Sequence, residues 1–194
     1  MHLLFVCTGN ICRSPLAERL TTAFAAEADV PGLTATSAGT GALVGRPMDP
    51  DAAVVLAGLG GDADGFGARA FLPWMAEQAD LVLTLERGHR STVLERAPRA
   101  LRRTFTLREA SAVLGLLRPT DLPTATDLDE RGRHLVAALA RRRNDWRGSS
   151  GATDITDPYR RPPEVHAQVG SDIAAALLPL LRALAGPEVD RRAG

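Results

Sequence analysis

Apolar and β-branched residues gather in four short unbroken runs, at 2–6, about 33–37, 81–85 and 103–106. Runs of that length read as strands covered on both faces. A different period lies between them. Leu16, Leu20 and Phe24 recur at helical spacing over 15–28, and 50–59 and 87–96 also read as helices. Strands alternating with helices define an α/β chain, a doubly wound four-stranded parallel sheet with helices on both faces. Asp49-Pro50-Asp51 starts the second helix, and the Gly-rich stretch 60–68 reads as a flexible loop. A last helix opens at Pro162-Pro163. It keeps an apolar stripe through Val165, Val169, Ile173, Leu177, Leu181 and Leu184, then ends at Gly186-Pro187. Residues 1–186 are expected to form one domain, and 187–194 a flexible tail.

The loop after the first strand changes the picture from architecture to chemistry. It reads Cys7-Thr8-Gly9-Asn10-Ile11-Cys12-Arg13-Ser14-Pro15. Gly9 and Asn10 tolerate the backbone a tight curl demands. Curled inward, the N–H groups of Thr8 through Ser14 form a cradle for a tetrahedral oxyanion. Ser14-Pro15 reads as a helix start with Ser as N-cap, which aims the helix's free N–H groups at the same anion. Arg13 adds a planar fork for two of its oxygens. This positive field favours the thiolate of Cys7, the nucleophilic form, and Ser14 is placed to donate a hydrogen bond to that sulfur. Ligands in such sheets bind beyond the carboxyl ends of the strands, where this phosphate loop lies.

Displacing a phosphate ester also requires an acid for the leaving oxygen. Near the far end of the chain stands Asp154-Ile155-Thr156-Asp157-Pro158-Tyr159. Pro158 stiffens the backbone at Asp157, and Tyr159 offers an aromatic wall. Asp154 reads either as a helper to this acid or as a loop cap.

Together these segments, with Ser37-Ala38-Gly39-Thr40, resemble the low-molecular-weight protein tyrosine phosphatase family. The likeness runs through 1–106 and resumes over about 153–185. It implies Cys7 as nucleophile, Arg13 as the phosphoryl ligand and Asp157 as acid and then base. It implies that Asn10 and Ser37 hold the loop in shape while Ser14 steadies the thiolate. The implied ligand is a phosphotyrosine protein or peptide, with phosphate or another oxyanion in the loop, and no cofactor or metal. Residues 107–152 are an insert relative to a compact member: a helix at 107–117, a turn region at 119–127 and a helix at 128–143. Because the insert feeds into the Asp157 loop, Trp146 or the Arg141-Arg142-Arg143 cluster reads either as a substrate contact near the pocket mouth or, the preferred reading, as a solvated helix end. Where relatives often carry an aromatic wall, this chain has Leu43. Relatives acting on phosphoarginine place a threonine at the position of Ile11, so an apolar residue there favours an aryl ring.

Composition narrows the remaining choices. Lys+Arg and Asp+Glu are 23 each, with no lysine, so the basic excess of a nucleic-acid binder is missing. Both cysteines lie in the loop, which leaves no third thiol for a disulfide framework. Cys12 reads either as a partner that resolves oxidised Cys7 or as packing beneath the loop. His89 reads as a capping or surface residue. No leader pattern precedes the first strand and no apolar run looks membrane-spanning, so a cytoplasmic protein without membrane contact is expected. Two other functions share the loop: arsenate reduction with an external thiol, and a silent phosphate-sensing role.

Overall fold

The computed structural model describes residues 1–121, 127–146 and 153–186. Its strands are β1 (His2–Cys7), β2 (Thr34–Gly39), β3 (Leu81–Thr84) and β4 (Thr104–Thr106). They form one parallel sheet in the order β2-β1-β3-β4. In register, Leu4 pairs with Thr36 on one side and Val82 on the other. The helices are α1 (Arg13–Glu27), α2 (Pro50–Gly58), α3 (Pro73–Gln78), α4 (Arg87–Arg96), α5 (Leu107–Leu114), α6 (Leu128–Arg142) and α7 (Pro163–Ala185).

Alternation along β1 splits the core in two. Leu3, Phe5 and Cys7 face the larger cluster, built with α1, α2, α5 and α7. Leu4 and Val6 face the smaller one, built with Phe71, Ala76 and Val93. A strand buried on both faces is why the sequence shows an unbroken apolar run. The stripe on α7 is core: Val169, Ile173, Leu177, Leu181 and Leu184 are all buried. This helix is long and apolar enough to span a bilayer, but half of its most apolar window is buried inside the fold. The helix α3 was not expected from sequence, because six residues after Pro73 carry too little periodicity to register.

The two ends of the sheet carry different elements. Strands leave toward α1, α4 and the Asp157 loop at one end. At the other, α6 packs where the strands begin. Gly132 lies against Met1, so closely that a Cβ there would meet the sulfur at 2.5 Å. Arg131 donates to the Leu184 carbonyl at the far end of α7. A Thr106–Glu109 capping box starts α5, which ends at Leu114 rather than near 117. The tail at 187–194 and most of the 119–127 turn lie outside the described residues.

Candidate active site

The loop begins where β1 ends. Asn10 takes φ 55°, the left-handed conformation expected of it. The next helix starts two residues sooner than Ser14-Pro15 suggested. Cys12 is the N-cap, it makes no side-chain capping bond, and the first turn of α1 carries no acidic residue. The N–H groups at this helix end therefore remain available to an anion. Ser14 is not the cap because its hydroxyl is needed elsewhere.

That need is a chain of hydrogen bonds with one consistent direction. The Arg69 backbone N–H donates to Asn10 Oδ1 (2.8 Å), which fixes the orientation of the amide. Asn10 Nδ2 must then donate, and it reaches Ser14 Oγ at 2.9 Å and Ser37 Oγ at 2.7 Å. The Ser37 hydroxyl donates in turn to Glu18 Oε2. Ser14, having accepted from Asn10, points its proton at Cys7 Sγ, 2.9 Å away. The Asn10 backbone N–H donates to the same sulfur at 3.3 Å. Two donors thus converge on Sγ, the arrangement that suits a thiolate. Ser37 and Asn10 are fully buried. Burial pushes the Glu18 carboxyl up, and the Ser37 bond and Arg69 pull against it.

Arg13 is almost wholly buried and held by three groups. Its Nη1 donates to Glu86 Oε1 at 2.6 Å and to the Ile155 carbonyl at 2.9 Å. Its Nη2 lies 3.2 Å from Asp157 Oδ2. Ile155 also donates to the Leu85 carbonyl, so the acid-bearing loop is pinned to the end of β3. Asp154 is a loop tie: it accepts from the Arg87 backbone N–H at 2.9 Å and from the Arg87 guanidinium. Burial opposes that carboxylate's charge, but the hydrogen bonds from Arg87 and Thr153 prevail and hold its pKa below the usual value. Asp157 itself is half exposed, and Tyr159 N–H donates to its Oδ1 at 3.3 Å.

Cys7, Arg13 and Asp157 come together in one cleft of about 350 Å³. Its floor is the loop, including Cys7, Thr8, Gly9, Ile11, Cys12 and Arg13. Leu43 stands on one wall, and Asp157, Tyr159 and Arg160 on the other. Tyr159 and Leu43 are partly exposed at the rim. Gly39 supports the floor from β2. A Cβ there would come within 2.3 Å of the Thr8 carbonyl.

Two readings are overturned. His89 is buried, not a surface residue, and its Nε2 meets Thr8 Oγ1 at 2.8 Å. The insert does not reach the cleft: among the described residues, none from 107–146 lines it. Trp146 packs on the larger core. Arg143 lies over the Phe105 ring, 3.9 Å from its centroid, with Nε 2.9 Å from Glu109 Oε1. The physical reason is that α6 has an apolar face to bury, and the open ground lies at the strand-start end of the sheet. Sequence reasoning missed Glu86, Arg69 and Glu18. The available signal for Glu86 was its place just past β3, at the same carboxyl edge as the loop.

A family model described as low molecular weight phosphotyrosine protein phosphatase matches residues 2–115, and the chain belongs to that family. The tyrosine phosphatase Wzb of Salmonella typhi is 42% identical over 96 residues, 50% of this chain and 61% of that protein. The probable phosphatase EpsP of Ralstonia nicotianae is 36% identical over 107 residues, 55% of this chain and 70% of its own length. Among solved structures, the low molecular weight protein tyrosine phosphatase from T. tengcongensis superposes with TM-score 0.68 at 26% identity, covering 93% of this chain and 97% of the other. The YwlE arginine phosphatase from Geobacillus stearothermophilus gives 0.65 at 27%, covering 93% and 90%.

Proposed function

We propose that this chain hydrolyses aryl phosphate monoesters, phosphotyrosine in a protein or peptide above all, through a phosphocysteine. The observation that carries the reading is a cleft whose floor holds a doubly hydrogen-bonded Cys7 sulfur and whose wall holds Asp157 and Tyr159. The substrate phosphoryl group sits on the loop N–H groups and the Arg13 fork. The Cys7 thiolate attacks phosphorus, and the ester P–O bond breaks as the S–P bond forms. Protonated Asp157 gives its proton to the departing oxygen. A water then attacks the phosphocysteine while Asp157 takes its proton, and the S–P bond breaks to release inorganic phosphate and the thiolate. Ser14 and Asn10 steady the sulfur in both steps, and Ser37 holds Asn10.

The ring of the substrate lies between Leu43 and Tyr159. Ile11 lines the cleft and presents a hydrocarbon surface, which suits an aryl group better than a guanidinium. That preference separates this reading from phosphoarginine hydrolysis, the reading that the arginine phosphatase YwlE, a structural neighbour, would suggest. A cytoplasmic bacterial setting belongs to the same proposal, since Wzb and EpsP are bacterial proteins.

The test is phosphate release from an aryl phosphate, a phosphotyrosine peptide and a phosphoarginine peptide. Wild type should turn over the first two and prefer them to the third. Cys7→Ser should abolish turnover, and Asp157→Asn should reduce kcat by about 100-fold or more. Turnover of arsenate but of no phosphate ester would overturn the proposal.

A further inference from the structure

His166, in the first turn of α7, has no role in the steps just described. It is 3% exposed, and its Nδ1 has no hydrogen-bond partner among the described residues. Leaving a buried ring nitrogen without a partner is costly, so native structures avoid it unless something else supplies the contact. Asp49 Oδ1 stands 3.8 Å from Nδ1, too far for a hydrogen bond. Cys12 Sγ faces the same space. One donor atom from each of Cys12, Asp49 and His166 lies within 4.8 Å of the others.

We propose that Cys12, Asp49 and His166 form a binding site for a thiophilic divalent cation of the Zn²⁺ class, separate from the oxyanion cradle. A thiolate, an imidazole and a carboxylate are the donors such an ion selects. A tetrahedral Zn²⁺ holds such atoms roughly 3.3–3.6 Å apart, so side-chain rotations that draw them in by about 1 Å close the site. Coordination breaks the Cys12 S–H bond and forms a metal–sulfur bond. The proton passes to water, and nothing is oxidised or reduced. One thiolate and one carboxylate balance the ion's two charges, leaving a neutral assembly that a buried position tolerates. Three protein donors leave one position for water.

The placement gives the site a mechanical meaning. Cys12 caps α1, Asp49 caps α2, and His166 begins the helix that follows the Asp157 loop. Asp49 already accepts from Asp51 N and Ala52 N through Oδ1, and among the described residues no hydrogen bond occupies its other oxygen. A bound ion therefore ties the base of the phosphate loop to α2 and to the root of the acid loop. Without the ion, burial first and Asp49 second keep Cys12 protonated.

Titrating Co²⁺ into Cys7→Ser protein tests the site, since Cys12 is then the one thiol in the chain. The expected result is one Co²⁺ per chain with a sulfur-to-cobalt charge-transfer band, displaced by Zn²⁺. Adding Cys12→Ala should remove the band. Adding His166→Gln should weaken binding at least about tenfold. Asp49→Asn offers a parallel variant, because Asn still caps α2 and preserves the fold. It too should weaken binding. Absence of the band in Cys7→Ser protein, or unchanged affinity in either folded ligand variant, overturns the proposal. The experiment uses a protein without the Cys7 sulfur, so its outcome is independent of the phosphatase reading.

Discussion

Asn10 concentrates more of the site's order than any other side chain in the loop. Its amide is oriented by a backbone N–H, so the direction of every later hydrogen bond follows from one unambiguous donor. Its backbone also occupies the left-handed region, where an ordinary residue costs roughly 1–2 kcal/mol. Replacing it therefore removes both the shape of the curl and the polarity of the Ser14 hydroxyl. Asn10→Ala should lower kcat for an aryl phosphate by about tenfold or more, while melting shows a folded protein. An unchanged kcat would mean that the Ser14 hydroxyl serves the sulfur without the Asn10 amide to orient it. Ser14-Pro15 is instructive here. The pattern reads as a cap, but the hydroxyl sits where the buried sulfur and the Asn10 amide both require it, and the helix starts on Cys12 without side-chain help.

At the scale of elements, α4 is fastened to the phosphate loop through His89. Burial lowers its imidazole pKa below the ordinary 6.5, although Glu86 beside it pulls the other way. The folded protein thus binds fewer protons than the unfolded chain as pH drops below 6.5. Its contribution to stability is complete above that value and is lost as pH falls beneath it. Melting temperature from pH 7 to about 5 should fall more steeply for wild type than for His89→Gln. Equal slopes would assign the acid sensitivity to other groups. The local sequence around Glu86-Arg87-Gly88-His89 did not announce this contact. Glu86, three residues earlier, lies 3.4 Å from His89 Nε2, but Thr8 comes within 2.8 Å only because β1 and β3 are neighbours in the sheet.

Across the whole molecule, the candidate site and the helices that reinforce the fold occupy opposite ends of the sheet. One reading places residues after β4 at the cleft, because the chain leads from them to Asp157. They pack instead on the edge and base of the fold, where Arg143 bridges the Phe105 ring, Glu109 and the Leu101 carbonyl. Arg143→Ala leaves the buried Glu109 carboxylate without its charged partner. It should destabilise the protein by roughly 3 kcal/mol, read by urea unfolding, with kcat/KM for a phosphotyrosine peptide unchanged at a temperature where the variant is folded. A large drop in kcat/KM without loss of stability would return this segment to the substrate cleft.

What could be read along the chain is what depends on neighbours in sequence. The strand runs, the stripe on α7 and the curl from Cys7 to Ser14 are local patterns, because backbone period and loop conformation are set over a few residues. Asp157 was legible for a related reason: Asp-Pro-Tyr is a stiff unit recognisable beside the loop it accompanies. What could not be read is the set of partners gathered from afar. Glu86 on Arg13, Arg69 on Asn10, Glu18 on Ser37 and Asp49 facing His166 join residues separated by 19 to 117 positions. Those meetings follow from strand order and from the burial of helix faces. Both are settled by packing across the entire fold, which no local period encodes.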